Sequence, residues 1–258
     1  MRRIVDISVP LKAGIRSDPP GHEPQIQYFD HRQTAEDVVA FFPGASVDDL
    51  PDGEGWAIER ITASTHTGTH LDAPYHYSSI MDGGKRAITI DEVPLDWCFQ
   101  RGVKLDFRHF ENGYVVTPAD IDAELERIGH TLQELDIVLV NTSAGIRYGE
   151  DDYVATGCGI GRDATLHLLR QGVRVTGTDA WSWDAPFVYT AERYQENQDA
   201  SIIWEGHRAG REIGYCHIEK LHNLESLPSS GFQVACFPVK IHEASAGWTR
   251  AVAIFEED

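Results

Sequence analysis

Short apolar, β-branched runs alternate along the chain with polar stretches rich in glycine and proline. They lie at Ile4–Val9, Trp56–Thr62, Val103–Phe107, Ile137–Val140, Val173–Thr176, Phe232–Phe237 and Ala251–Phe255, and their length and composition predict strands. Two intervening segments carry the helical period instead. Thr117 is an N-cap, Pro118 suits the first helical position, Ile121, Leu125 and Ile128 share one face, and Gly129 ends the helix. A second helix is predicted over Asp163–Arg170, closed by Gly172 and followed directly by a strand. Strands interleaved with helices point to an α/β fold. Residues 10–57 read as a long loop region with a short helix around Thr34–Phe42. No repeat, low-complexity tract or linker divides the chain, so one domain over residues 1–258 is the simplest organisation.

Composition narrows the partners. With 258 residues and 41% hydrophobic content the chain can bury a full core, and its formal charge of −19 repels phosphate backbones and anionic membranes. Nucleic acid and lipid are therefore not expected. The opening MRRIVDISVPLKAG is interrupted by Asp6 and Pro10, which does not fit a signal peptide, and no apolar run is long enough to span a bilayer. Cys98, Cys158, Cys216 and Cys236 form no C-x-x-C pair, so neither a disulfide framework nor a thiolate zinc site is indicated, and the cytoplasm is the expected compartment.

The chemistry concentrates in one segment, Ser64-Thr65-His66-Thr67-Gly68-Thr69-His70-Leu71-Asp72-Ala73-Pro74-Tyr75-His76. Three of the 12 histidines fall between positions 66 and 76, where uniform composition predicts about half of one. Isolated histidines are ordinarily surface or core residues, but this density favours a metal site. Imidazole and carboxylate donors suit zinc, manganese or iron better than calcium or magnesium. The weak helix formers Thr67, Gly68 and Thr69 and the following Pro74 argue against a helix, while a fully extended segment of this length is too long for one site. The chain must therefore curl, with Gly68 and Pro74 as the turning points.

This motif resembles H-x-G-T-H-x-D-x-P-x-H of the cyclase family of metal-dependent hydrolases, which includes kynurenine formamidases and isatin hydrolases. Asp6–Leu11, Gly157–Leu169, Gly177–Asp179, Cys216–Leu221, Phe237–Ile241 and Arg250–Val252 extend the resemblance over nearly the whole chain. The resemblance implies a mixed sheet or partly closed barrel flanked by helices, of a swivelling β/β/α kind. It implies that His66, His70 and Asp72 bind a divalent metal, zinc or manganese, that His207 and Glu219 complete a second or shared position, and that His76 is the acid/base. One or two ions are compatible with this set. The implied activity is hydrolysis of an amide, lactam or lactone in a small cyclic or aromatic substrate by metal-activated water, in a homodimer or homotetramer. Trp181 and Trp183 are candidates to line a pocket for a flat ring. Kynurenine formamidases carry a tryptophan after the first strand, where Ile15–Gly21 has none, which points away from formylkynurenine.

Two other readings compete: a metal-dependent cyclase or dehydratase, and a non-catalytic metal-binding protein with a closed ligand set. Serine-hydrolase chemistry lacks its G-x-S-x-G signal, which Asn141–Gly145 only approximates. Gly157–Gly161 departs from a phosphate-binding glycine pattern and reads as a turn leading into the second helix. Cys158 has no evident histidine partner, and Asp151 and Asp152 read as a solvated loop.

Overall fold

A computed structural model describes residues 1–256. Nine strands form one mixed sheet: β1 (Arg2–Asp6), β2 (His70–Asp72), β3 (Phe99–Asp106), β4 (Ile137–Asn141), β5 (Val175–Thr178), β6 (Cys216–Glu219), β7 (Phe232–Ala235), β8 (Ala246–Trp248) and β9 (Val252–Glu256). Their order is β1-β9-β7-β3-β4-β5-β6-β2-β8. The central four, β3-β4-β5-β6, run parallel, and the strands on either side of them pair antiparallel. Six α-helices occur among the described residues: α1 (Ala35–Val39), α2 (Pro74–Tyr77), α3 (Pro118–Ile128), α4 (Arg162–Arg170), α5 (Phe187–Asn197) and α6 (Glu205–Arg208). None is long and apolar enough to cross a membrane.

Both faces of the central strands are buried, as parallel strands require. In β4, Ile137 and Leu139 join one core with Leu71, Ile218 and Val234, whereas Val138 and Val140 face the other core, with Ile121, Leu125 and Leu168 from α3 and α4. β3 and β7 approach closely because Gly102 lies opposite Phe232, where an added Cβ would meet the Phe232 ring at 2.2 Å. The caps of α3 form as expected: Thr117 exchanges hydrogen bonds with Asp120, and Gly129 closes the helix at φ 66°.

The first strand is shorter than its apolar run. Past Asp6, the Ile7 amide donates to Ala251, Ser8 bridges to Leu221, and the His222 amide donates to Ile7. One end of the chain thereby crosses to the far side of the sheet, which curls into a partly closed barrel. The run at Trp56–Thr62 forms its strand outside this sheet. Its strand, Ile58–Thr62, pairs only with Gln25–Phe29 in a separate exposed hairpin. Its Ile58 and Ile61 suit an extended chain and remain about half exposed, at 47% and 46%.

Candidate metal centre

The site is made by the register of two short strands. β2 and β6 run antiparallel with Asp72 opposite His217 and His70 opposite Glu219. Side chains alternate along a strand, so His-x-Asp on β2 and His-x-Glu on β6 share one face, while Leu71 and Ile218 between them enter the core. The turn at Gly68, with φ 65°, folds the preceding residues back and brings His66 Nδ1 to 2.9 Å from Asp72 Oδ1. Pro74 then opens α2, which carries His76 Nε2 to 4.0 Å from Asp72 Oδ2. The segment thus curls at the two residues expected to turn it. His207 arrives from α6, its Nε2 3.4 Å from Glu219 Oε1 and 3.8 Å from Asp72 Oδ2.

The hydrogen bonds determine which imidazole nitrogens are free. His70 Nδ1 lies 2.8 Å from the Gly68 carbonyl, an acceptor only, so it carries the proton and Nε2 presents a lone pair. His207 Nδ1 is likewise tied to the Asp184 carboxylate, which itself accepts from the Gly206 and His207 amides. Both Nε2 atoms face carboxylate oxygens: that of His70 is 3.3 Å from Asp72 Oδ1 and 3.5 Å from Glu219 Oε2. Against burial, the Asp184, Asp72 and Glu219 carboxylates hold the proton affinity of the His207 ring well above its usual range, and the His70 lone pair faces anions, so both rings mark a cluster that calls for positive charge. His70 Nε2, His217 Nε2 and both Asp72 carboxylate oxygens are buried without a hydrogen-bond partner. Leaving one such atom unsatisfied costs about 1–3 kcal/mol, so four in one cluster mark a place for an ion. The donor separations fit one too, since ligands about 2.1 Å from a tetrahedral ion are roughly 3.4 Å apart. Three overlapping triads each bring one donor atom per residue within 4.8 Å of one another: His66–Asp72–His76, His70–Asp72–Glu219 and His207–His217–Glu219.

The charges respond accordingly. Burial would raise the Asp72 carboxyl, but His70, His76 and His66 hold it well below its ordinary range. Glu219 is likewise lowered against burial, by His207 and His217. Burial pushes His76 down to about 4, against the opposing pull of Asp72, so its ring is neutral at pH 7. His217 is lowered, again mainly by burial.

The cluster lies at the wall of a cavity of about 570 Å³ lined by Asp18, His22, His66, His76, Trp181, Phe187, Ile203, Trp204 and His207, among others. Trp181 is among the lining residues. Trp183 is not: it is 1% exposed, donates its indole N–H to Thr165 and packs 4.8 Å from the His217 ring. Its backbone amide also donates to Glu219 Oε1 at 3.3 Å. Two residues beyond the sequence reading belong here. Trp204, at φ 58°, stacks on His207 at 4.8 Å and stands edge-on to His76 at 5.1 Å. His217 had a usable signal, because it precedes Glu219 by the same two-residue step that separates His70 from Asp72. Lys220, buried next to Glu219, donates to Asp18 and to the His66 carbonyl, tying the first loop to the motif.

The discounted alternatives stay apart from this chemistry. Burial pushes the Cys158 thiol up to about 12, leaving it a poor nucleophile. Asp151 and Asp152 pair with Arg16 and Arg147 at the surface. Gly161 is the N-cap of α4, directly after the two-residue strand Gly159–Ile160.

Several solved structures share this fold. Isatin hydrolase A from Ralstonia solanacearum has a TM-score of 0.76 at 20% identity, covering 99% of this chain and 92% of that one. Isatin hydrolase A from Labrenzia aggregata, bound to benzyl benzoate, gives 0.71 at 22% identity with 99% and 94% covered. A structure described as a predicted metal-dependent hydrolase from Bacillus stearothermophilus gives 0.64 at 19% identity with 99% and 100% covered. The sequence profile of the family described as "Putative cyclase" matches residues 5–185, a stretch that includes the whole histidine motif and more than half of the chain. On that match the chain belongs to the cyclase family.

Proposed function

We propose that this protein is a metal-dependent hydrolase that opens a C–N amide or lactam bond, or a lactone ester, in a small cyclic or aromatic substrate. The observation that carries the reading is the set of buried, partnerless imidazole and carboxylate atoms beside an open cavity walled by Trp181, Phe187 and Trp204. A non-catalytic site would close its ligands away from such a space. The structural neighbours named isatin hydrolase, one solved with the product analogue thioisatinate, support a flat cyclic substrate.

His66, His70 and Asp72 would hold the metal, zinc or manganese, with His207 and Glu219 completing the position. A bound divalent ion supplies Lewis acidity, polarising a carbonyl and making a water molecule more acidic. The rest is the work of the chain. His76, neutral and facing the cavity, takes a proton from the attacking water and returns it to the leaving nitrogen or oxygen. Asp184 keeps the His207 ring turned toward the carboxylates, and Trp204 braces both His76 and His207. Trp181 and Phe187, 5.3 Å apart and nearly perpendicular, offer a corner for a planar ring. The same reading places the enzyme in the cytoplasm as a homodimer or homotetramer acting on a free small molecule.

The test is turnover of isatin-like lactams, lactones and aryl formamides in ¹⁸O-water by metal-loaded protein. Ring opening with one solvent oxygen in the product supports the proposal. Turnover without solvent oxygen would instead mean cyclisation or dehydration, and absence of bound metal in folded protein would rule the proposal out.

A further inference from the structure

The histidine motif, His207 and Glu219 do not exhaust the donors. We infer that His217 is itself a metal ligand, the third donor of the second position that the family resemblance gives to His207 and Glu219, beside the one at His66, His70 and Asp72. This rests on the proposed metal dependence and adds to it a ligand outside the H-x-G-T-H-x-D-x-P-x-H pattern.

The geometry makes the case. His217 is fully buried, yet its Nε2 has no hydrogen-bond partner and lies 3.5 Å from Glu219 Oε1. His207 Nε2 is 3.4 Å from that same oxygen. Both separations match the edge of a tetrahedron around a zinc-sized ion, roughly 3.4 Å. The two faces of the Glu219 carboxylate are divided: Oε1 faces His207 and His217, and Oε2 faces His70 at 3.5 Å. One carboxylate is thus placed to serve two neighbouring ions. His217 is also held for the task, with Nδ1 3.1 Å from Thr176 Oγ1 and the ring against Trp183. Two imidazoles and one carboxylate oxygen make this subsite richer in nitrogen than the triad of His70, Asp72 and Glu219, so it should favour zinc or cobalt over manganese.

A purely structural alternative exists, in which His217 donates Nε2–H to Glu219 and only positions it. Metal content separates the two. Wild type, His217→Phe and His217→Gln are loaded with zinc, freed of excess ion, and measured by elemental analysis and chelator competition, with thermal melting to verify folding. His217→Phe keeps a ring against Trp183, and His217→Gln keeps a donor for Glu219. The inference expects two ions per wild-type chain and one in both folded variants, with binding of the second weakened beyond the roughly 10–100-fold caused by losing an orienting partner. Recovery of the second ion in His217→Gln, or a single ion in wild type that is indifferent to both variants, would overturn the inference and leave the proposed hydrolase intact. A wild type that binds no ion would remove both. Should His217→Phe fail to fold, cobalt-loaded His217→Gln decides by its visible spectrum: an altered spectrum supports ligation, and one identical to wild type overturns it.

Discussion

Two groups of buried carboxylates sit in this molecule, and they are satisfied in opposite ways. Asp136 and Asp179 are ringed by donors. Asp136 accepts from Arg101 Nε at 2.8 Å and from the Gln133 amide at 2.9 Å, with His130 at 3.2 Å. Asp179 accepts from the Thr142 amide and hydroxyl and from the Asn141 amide group. Asp72 is equally buried, but neither of its oxygens makes a well-aligned hydrogen bond and its neighbours are imidazoles. The chain completes the first pair of sites by itself, whereas the cluster around Asp72 leaves room for a cation. An acidic residue in a core is therefore structural or functional according to what faces it, not according to its burial.

The contrast breaks most visibly at Asp72. In Asp72→Asn, turnover should fall by at least about 10⁴-fold with metal content lost. Chelation should lower the melting temperature of wild type by the equivalent of up to about 4 kcal/mol when free metal had stood at 1,000 times its dissociation constant, and leave Asp72→Asn unmoved. Equal melting of wild type with and without chelator would place Asp72 among the structural carboxylates. His76→Ala should cost about 10²–10³-fold in kcat while ion content is unchanged, and loss of ion would reassign His76 as a ligand.

The donor-satisfied carboxylates should affect stability and not metal. Asp136→Ala leaves Arg101, His130 and the Gln133 amide without their acceptor and should cost about 1–3 kcal/mol by denaturant unfolding. Asp179 adds a pH signature. Burial outweighs its three donors and pushes the carboxyl up to about 7, above its unfolded value, so the folded state holds the proton more tightly. That contribution is fully present in acid below the unfolded carboxyl range and is lost as pH rises through about 7. Melting temperature should therefore decline between pH 5 and pH 8 through this group, and Asp179→Asn should flatten the decline. An unchanged slope would show that the donors keep Asp179 ionised throughout. Smallest is the cavity wall, where Trp181→Ala should raise KM about tenfold, with kcat and melting temperature little changed.

The two tryptophans show where local reading stops. Trp181 and Trp183 lie two residues apart in one segment, and nothing in their spacing says that one lines the cavity while the other is sealed against His217. The hairpin at Ile58–Thr62 shows the same limit, since its apolar pattern predicted a strand but not its exclusion from the sheet. His207 and Glu219 are legible through family resemblance alone, because no local pattern joins them to a motif more than 100 residues earlier.

What the chain determined alone was local: the capped helix after Thr117, the apolar run of β4, the turning points Gly68 and Pro74, and the density of metal-binding side chains from His66 to His76. These follow from periodicity, backbone freedom and donor chemistry, all contained within a few residues. What only the tertiary structure decided was the antiparallel register that sets His70 against Glu219 and Asp72 against His217, and the arrival of His207 and Trp204 from another segment. A register is chosen by which hydrophobic faces the whole sheet can bury together, and a one-residue slip would turn His217 and Glu219 into the core. The joining of the cluster was therefore a property of the folded sheet, written in the sequence as the dense His66–His76 segment and a repeated two-residue step.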